Sequence, residues 1–569
     1  MKTAQDLKNQ LQSIHRKSYP AYKELRGKYS FDDYILSIDH VQGDPFASPS
    51  HISAEIPLKT AGFPSSCHNA SCTRIALQDY LNRQFEQQVN HYSFRAKGSG
   101  KSGLISVSHC GQEILERTAC QISQTSVIAR FTVGFPANGR TINAPELEKI
   151  FFDFLPICIK KSFFYRSLNK KQIEETVFLA EDQEFIRKEL KKRQLTAFVA
   201  DGSILPRQSG VSQKPLKDSI PFVSPDSLAV ELLLPHKGKL RGMGIPEGIT
   251  LIAGGGYHGK STLLHALETG VYNHVAGDGR EYVITDPTGI KLRAEDGRFI
   301  KDVDISLFIN DLPNKRDTHC FSTLDASGST SQAAAIAESI EAGTSLFLID
   351  EDTSATNFMV RDAFMQQVIN RSKEPITPFI ERARDLYQKA GISTILVAGS
   401  SGAFFHIADT IIQMDCYKAV DITASTKELC QKYPLPRAAT PDFAFPESHR
   451  IMKSNHRASP SSSENRGLKT KTHDRYTFSI GKETVDLRYV EQLVDYEQTA
   501  ALASILRYAC ETLIDGKHTL HQIGEHLTHL LETKGLSAVC GSSYIPCGLA
   551  MPRKQEIYAC LNRFRQGLS

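Results

Sequence analysis

Residues 249–267 read ITLIAGGGYHGKSTLLHAL. The apolar segment ITLIA predicts a buried strand, and STLLHAL predicts a helix. Between them, residues 254–261 match the pattern GxxxxGK[ST], which binds phosphate where it joins a strand to a helix. The backbone N–H groups of such a loop wrap around phosphate, and the helix N-terminus adds a partial positive charge. The stretch therefore predicts an α/β fold that binds a nucleotide.

The residue types in this loop predict separate roles in binding a nucleoside triphosphate with Mg²⁺. We expect Lys260 to reach the β- and γ-phosphates and the Ser261 hydroxyl to hold Mg²⁺. His258 is unusual here, and it either touches phosphate or caps the loop. The predicted nucleotide-binding residues of this region are Gly254, Gly255, Gly256, Tyr257, His258, Gly259, Lys260, Ser261 and Thr262.

A second apolar strand is followed directly by acidic residues. Residues 345–357 read SLFLIDEDTSATN. An aspartate that ends a buried strand lies near the phosphate loop in nucleotide-binding folds of this class, so we expect Asp350 to orient Mg²⁺. Glu351, the next residue, is the predicted general base that polarises the attacking water. Lys260 is also expected to act in catalysis.

Small polar residues precede a third predicted element. Residues 325–335 read DASGSTSQAAA and continue as IAESIEAG. The alanine-rich continuation predicts a helix. Ser327, Gly328 and Ser329 would then lie at its N-terminus, where a hydroxyl and backbone N–H groups can bind an anion. A flexible serine-rich linker is the alternative interpretation.

The remaining pattern predicts an α/β protein of three domains. Residues 1–225 mix strand and helix patterns, residues 226–425 alternate apolar strands with helices, and residues 426–569 are mainly helical. Residues 447–475 are polar, serine-rich and basic, which is typical of a disordered linker or an exposed excursion.

The composition excludes several classes of protein. Charged residues make up 23 % of the chain and the net charge is +4, so any basic surface must be local. The sequence contains no run of 18 apolar residues and no apolar core of a secretory signal, so we expect no transmembrane segment. The 12 cysteines form no CxxC pair, which favours reduced thiols in a cytoplasmic protein over a zinc site.

These motifs resemble those of the bacterial family of predicted ATPases of the ABC class. Residues 350–357, DEDTSATN, agree at five of eight positions with the DEPTSALD of ABC-class ATPases. Residues 326–330, ASGST, stand where those ATPases carry LSGGQ. Two further stretches of the resemblance are HVQGDPFASPSHI at 40–52 and ADGSILPRQSG at 200–210.

The resemblance implies a P-loop NTPase with an ABC-like ATPase core, flanked by an α+β N-terminal domain and a mainly helical C-terminal domain. It implies ATP and Mg²⁺ as cofactors. It also implies a homodimer in which Ser327, Gly328 and Ser329 grip the γ-phosphate of the ATP held by the other subunit.

Two departures from the family pattern predict slow turnover. ABC-class ATPases carry a Gln between the phosphate loop and the signature loop, whereas residues 262–330 contain none. Asn310 or Asp311 is the candidate substitute. Ser400 stands at the place of the switch His, where it can hydrogen-bond γ-phosphate or water but cannot carry positive charge. His406 lies nearby in an apolar setting, which favours a structural role.

The purpose of hydrolysis is left open between several interpretations. The first is movement of the flanking domains on a nucleic acid, with RNA preferred because some relatives are associated with it. Basic residues in a flexible turn at 95–101, in the linker and at 552–566 support that interpretation. The alternative is a nucleotide-gated scaffold that binds an unknown protein partner. A small-molecule phosphotransferase is the weakest interpretation, and a transporter subunit would need a separate membrane partner.

Overall fold

The computed structural model describes two compact units, which are treated separately below. Unit 1 consists of Met1–Glu181 and Leu536–Met551, and unit 2 of Asp182–Gly535 and Pro552–Ser569. Most of the predicted basic linker lies outside the described residues. The structure describes residues 1–361, 368, 373–434, 442–446, 449–453 and 468–565.

Unit 1 is built on a seven-stranded sheet whose inner face is covered by helices. Side chains of strand Ser50–Pro57 alternate between buried and part-exposed positions, because one face packs against the core and the other does not. The strands follow the order Lys2–Thr3, Gly27–Ser30, Ile35–His40, Ser50–Pro57, Ser126–Val133 and Ile105–Ser106, and Cys120–Ile122 also pairs with Ser126–Val133. The remaining elements are the helices Ala4–Ile14, Leu58–Ala61, Ser71–Tyr92, Ala144–Glu148 and Leu155–Phe163, and the strand pair Ala137–Asn138 and Thr141–Ile142.

The turn at 95–101 differs from the flexible basic turn predicted from the sequence. The Lys101 N–H donates to the Pro45 carbonyl, and the Ser99 N–H donates to the Ala137 carbonyl, both at 2.8 Å. A Cβ on Gly100 would lie 2.5 Å from the Pro45 carbonyl oxygen. The prediction of a flexible turn is therefore wrong, because Gly98, Gly100 and Gly103 serve close backbone packing.

The core of unit 2 is a six-stranded sheet. Five strands are parallel and the last is antiparallel. Every residue of the three central strands is buried, which explains their continuous apolar sequences. The carboxyl ends of the parallel strands meet at one edge, where loops of different strands come together. The order is Ile290–Leu292, Leu346–Asp350, Ser393–Val397, Ile249–Ala253, Thr410–Asp415 and Lys418–Asp421.

A four-stranded antiparallel sheet accompanies this core, and it explains why the compact units differ from the domains predicted from sequence. Strand Leu195–Ala200 pairs with Gly238–Pro246 and with Val283–Thr285, and Ala229–Leu234 pairs with Gly238–Pro246. Residues before 225 therefore belong to the same sheet as residues after it. Likewise 536–551 belongs to unit 1, where the Thr118 N–H donates to the Leu549 carbonyl at 2.9 Å.

The other elements of unit 2 include a helical C-terminal region that also contains a three-stranded antiparallel sheet. The strands of that sheet are Thr470–Thr472, Thr477–Ile480 and Glu483–Asp486, and its helices are Tyr496–Thr512, Leu520–Lys534 and Lys554–Arg563. The core helices are Lys260–Thr269, Gly328–Glu341, Thr356–Met359, Phe379–Ala390, Phe404–Ile407 and Thr423–Lys432, and helix Lys170–Lys192 enters unit 2 from unit 1. Two hairpins complete it, Arg207–Ser209 with Ser212–Pro215 and Arg298–Val303 with Phe321–Ala326.

Throughout the described parts of the chain, every helix is too short or too polar to cross a membrane.

Candidate active site

The predicted phosphate loop connects strand Ile249–Ala253 to helix Lys260–Thr269. Gly254 has a φ of +141°, and a Cβ there would lie 2.4 Å from the Met414 carbonyl oxygen, so the position requires glycine. The Lys260 Nζ donates to the carbonyl oxygens of Gly254 and Gly255, both at 2.8 Å. The ammonium group therefore lies over the loop, at the position where phosphate would bind.

The two acidic residues after strand Leu346–Asp350 have different environments. Asp350 is buried, and this burial raises the pKa of its carboxyl although Lys291 opposes the shift. The Glu351 carboxylate accepts hydrogen bonds from the N–H groups of Gly399 and Ser400, at 2.8 and 3.0 Å, and from the Ser400 hydroxyl at 2.6 Å. Burial raises the pKa of Glu351, but these hydrogen bonds outweigh it and hold the pKa below its usual value.

The sheet brings these groups together from three separate strands. Asp350 pairs with Val397 in the parallel ladder, and Val397 pairs with Ile252 just before the phosphate loop. A Cβ on Gly399 would lie 3.7 Å from the Lys260 Nζ. The Lys260 ammonium, which is predicted to bind phosphate, and the Glu351 carboxylate therefore lie close together at one edge of the sheet. Ser400, predicted to contact phosphate or water, instead donates its hydroxyl to the carboxylate of the predicted base.

A cavity of 490 Å³ adjoins the start of the helix after the phosphate loop. Its lining includes Ser261, Thr262 and Asp350. A hydroxyl and a carboxylate are oxygen ligands of the kind that Mg²⁺ prefers, so the predicted metal residues fit that ion. The cavity also contains Lys291, whose Nζ lies 3.8 Å from carboxylate oxygens of both Glu268 and Glu491. No local pattern in the sequence indicated this lysine, because its partners are distant along the chain.

The stretch DASGSTSQAAA forms the start of a helix rather than a linker. Ser327 caps helix Gly328–Glu341, and its hydroxyl accepts a hydrogen bond from the Thr330 N–H. Ser329 lies in the first turn and is buried. A Cβ on Gly328 would lie 3.2 Å from both Ala294 and Asp296 of the same chain. A substitution at Gly328 would therefore disturb its own chain before it could affect a partner.

Gln332 links this helix to the loop that follows Glu351, a connection that the sequence did not predict. The side chain is fully buried. Its Nε2 donates to the Ser354 hydroxyl at 3.1 Å, and its Oε1 accepts from the Ala355 N–H at 3.0 Å. The start of the helix is thereby fixed relative to the acidic residues.

Other residues singled out in the sequence occupy less central positions. The His258 Nδ1 accepts from the Cys416 N–H at 3.0 Å, which favours the capping interpretation over phosphate contact. The Asn310 side chain donates to the Ser306 carbonyl at 2.6 Å, so its amide is held within its own loop. Tyr257 is 99 % exposed at a φ of 65°. The backbone carbonyl of His406 accepts from the Lys427 ammonium at 3.3 Å.

Three family models match consecutive parts of the chain. The model of the N-terminal domain of ATPases of the ABC class matches residues 4–166, and the ABC ATPase P-loop domain matches residues 169–450. The MRB1590 C-terminal domain matches residues 469–568. The uncharacterized protein MJ1628 of Methanocaldococcus jannaschii is 32 % identical over 267 residues, which make up 44 % of this chain and 58 % of that protein. The chain thus spans somewhat more than half the length of that relative.

Two solved structures align with part of the chain. One is the ADP conformation of MJ1267, an ATP-binding cassette of an ABC transporter, at 11 % identity with a TM-score of 0.23 over 34 % of this chain and 88 % of that one. The other is cbiO1 from Clostridium perfringens, part of the ABC transporter complex cbiONQ, at 13 % identity and a TM-score of 0.25. That alignment covers 42 % of this chain and 94 % of cbiO1.

Proposed function

The chain belongs to the ATPases of the ABC class, and on that premise we propose that it hydrolyses ATP slowly as a dimer and couples nucleotide state to RNA binding. The observation that carries the hydrolysis is the placement of the Glu351 carboxylate against Gly399 and Ser400, beside Lys260. The proposed base Glu351 and the proposed phosphate-binding cation Lys260 then lie at one edge of the sheet. The proposed metal-binding pair, Ser261 and Asp350, lies at the same edge.

The chemistry of the step follows from the environment of each group. Lys260 and the loop N–H groups bind the phosphates, and Ser261 with Asp350 would hold Mg²⁺, which screens the negative charge that develops on the phosphates. Glu351 orients the attacking water and accepts its proton. The hydrogen bonds that lower the pKa of Glu351 also weaken it as a base, and this is the physical reason for slow turnover.

The proposal of a dimer rests on the helix that begins at Gly328. Its first N–H groups, those of Gly328 and Ser329, can donate to an anion, whereas the Thr330 N–H already donates to the Ser327 hydroxyl. The hydroxyls of Ser327 and Thr330 add further donors. The side chain of Leu324, four residues before Gly328, is 74 % exposed. Donors of this kind complete the ATP site of a second copy in the arrangement that the family resemblance implies.

The proposal of RNA as ligand is supported by a patch on unit 1. Exposed Lys23, Arg26 and Lys28 lie in one short segment of chain, and the Arg26 Nη2 donates to the Ser543 hydroxyl at 3.0 Å. The rings of His40 and Tyr544 are stacked with their centroids 5.6 Å apart. Aromatic rings beside positive charge bind single-stranded nucleic acid by stacking and by phosphate contacts.

The 12 cysteines are free, which supports the proposal of a reducing, cytoplasmic compartment.

The basic segment at 552–566 supports RNA binding less than its sequence indicated. Arg563 lies 2.5 Å from a carboxylate oxygen of Glu295, and both side chains are nearly buried. Arg553 pairs with Glu556 at 2.6 Å and is also nearly buried. These guanidinium groups neutralise carboxylates of the same chain, so they are not available to a polyanion.

The test is the Glu351→Gln variant, which should retain ATP and accumulate as a dimer. We would measure molar mass by light scattering with and without ATP, and RNA by crosslinking and sequencing from cells. A variant that remains monomeric with ATP bound would refute the dimer. Recovery of a single protein partner without RNA would instead support the alternative function, a nucleotide-gated scaffold that binds a protein. As a matched comparison, replacing Arg26 and Lys28 with Ala should abolish crosslinking without changing the ATPase rate.

A further inference from the structure

Three side chains that can bind a metal ion lie together beside the phosphate loop. His258 belongs to the loop itself. Asp415 ends strand Thr410–Asp415, and Cys416 begins the turn to strand Lys418–Asp421. An imidazole nitrogen, a carboxylate oxygen and the thiol sulfur of these residues all lie within 4.8 Å of one another. No short sequence pattern shows this group, because His258 and Cys416 are 158 positions apart.

The types of donor atom in the group indicate the class of ion. Nitrogen, oxygen and sulfur donors suit Zn²⁺ and similar divalent transition metals, whereas Mg²⁺ is bound through oxygen atoms. Tetrahedral ligands about 2.0–2.3 Å from an ion lie about 3.5 Å from one another, so side-chain movements of about 1 Å complete the geometry. The group therefore differs in chemistry from Ser261 and Asp350, the pair predicted to hold Mg²⁺.

The contact between His258 and Asp415 is favourable only when a cation is present. The Cys416 N–H donates to the His258 Nδ1 at 3.0 Å, so this nitrogen presents its lone pair. The Asp415 Oδ1 lies 3.2 Å from the same nitrogen. A lone pair and a carboxylate oxygen repel each other, whereas a positive ion between them attracts both. Either a proton or a metal ion on Nδ1 displaces the Cys416 N–H, but only a metal ion also binds the Cys416 thiol.

The backbone around the three side chains is fixed, while the side chains can be reached from solvent. The Tyr417 N–H donates to the His258 carbonyl at 3.2 Å, and a Cβ on Gly259 would lie 3.1 Å from the Tyr417 ring. Cys416 and Tyr417 have φ angles of 46° and 69°, where side chains with a Cβ are sterically disfavoured, so contacts with the loop hold this turn. The side chains of His258 and Asp415 are 36 % and 60 % exposed.

We propose that His258, Asp415 and Cys416 form a binding site for a divalent transition metal ion of the zinc class. The ion binds the imidazole, the carboxylate and the thiolate, and the thiol proton leaves to solvent as the ion binds. The site is separate from the proposed hydrolysis of ATP, and it requires no nucleotide. Its ligands come from the phosphate loop and from the hairpin, so the bound ion ties these segments together and should raise the melting temperature.

Titration with Co²⁺ in the absence of nucleotide tests the site, because a thiolate bound to Co²⁺ absorbs in the near ultraviolet. The original chain should bind one Co²⁺ with this band, and Zn²⁺ should displace it. Cys416→Ser should abolish the band, and Asp415→Asn should weaken Co²⁺ binding about tenfold or more. Cys320→Ser, at another exposed cysteine of the same unit, is the matched control and should leave the band unchanged.

Two results of this titration would overturn the proposal. One is a thiolate band that persists in Cys416→Ser, which would assign the metal to another cysteine. The other is an unchanged Co²⁺ affinity in Asp415→Asn, which would show adventitious binding by a single thiol.

A second measurement uses the original chain, so it does not depend on the folding of any variant. Alkylation by iodoacetamide, followed by mass spectrometry, reports the reactivity of each cysteine. One equivalent of Zn²⁺ should abolish the alkylation of Cys416, because the thiolate is the nucleophile and the ion holds it. Cys320 should react equally with and without Zn²⁺, and a chelator should restore the reaction of Cys416. Unchanged alkylation of Cys416 in Zn²⁺ would refute the site, whatever the outcome for ATP hydrolysis.

Discussion

Replacement of Gln332 by Met should loosen the contact between helix Gly328–Glu341 and the loop that follows Glu351. The substitution keeps the length of the buried side chain and removes its hydrogen bonds with the Ser354 hydroxyl and the Ala355 N–H. The Ser354 hydroxyl still donates to the Asp350 carbonyl at 2.9 Å, so the main cost is the unsatisfied Ala355 N–H. An unpaired amide that is only part-buried costs about 1 kcal/mol, which corresponds to a factor of about 5 in the local opening equilibrium.

Hydrogen exchange followed by mass spectrometry reads this effect at the amide itself. The peptide that contains Ala355 should exchange about fivefold faster in the variant, in the regime where exchange reports local opening. The same substitution at Gln87, an exposed position of helix Ser71–Tyr92, should change nothing. Unaltered exchange at Ala355 would show that Gln332 does not hold this loop, and the reasoning would fail.

Three further outcomes follow from the geometry of the site. Lys260→Ala should weaken ATP binding about 100-fold in calorimetry, because the charge-assisted hydrogen bonds to phosphate are lost. Gly254→Ala should lower the melting temperature and ATP affinity, since its Cβ would lie 2.4 Å from a carbonyl oxygen, whereas Gly256→Ala has open space around its Cβ and should leave the melting temperature unchanged. Ser400→Ala removes a donor that lowers the pKa of Glu351, so that pKa should rise and the acidic limb of the ATPase pH profile should move to higher pH. A lower rate with an unmoved limb would instead favour contact of Ser400 with phosphate.

The sequence predicted the elements that are encoded locally. The phosphate loop lies between a strand and a helix, the acidic residues follow a buried strand, and DASGSTSQAAA begins a helix. Each of these depends on periodicity, turn chemistry or helix propensity within about a dozen residues, so a single sequence can show it. The basic turn at 95–101 was misjudged because its glycines pack against Pro45 and Ala137, which no local pattern reveals.

The contacts that tune the site are separated along the chain, and only folding brings them together. Glu351 meets the hydroxyl of Ser400, and Lys291 lies between carboxylates of Glu268 and Glu491. Such pairs depend on strand order and on the return of the C-terminal segment to the core. Burial then sets their energetics, because the pKa of a carboxyl depends on every donor and charge around it.

The sequence by itself therefore predicted a phosphate loop, an acidic strand end and the helix that begins in DASGSTSQAAA, and through them the resemblance to the ATPases of the ABC class. Only the tertiary structure decided what surrounds those motifs. It placed the Ser400 hydroxyl on the Glu351 carboxylate, Gln332 between helix and loop, and the ring of Tyr417 beside the phosphate loop. The physical reason is that motifs are short and local, whereas the basicity of a carboxylate and the shape of a binding surface arise from residues that are distant in sequence.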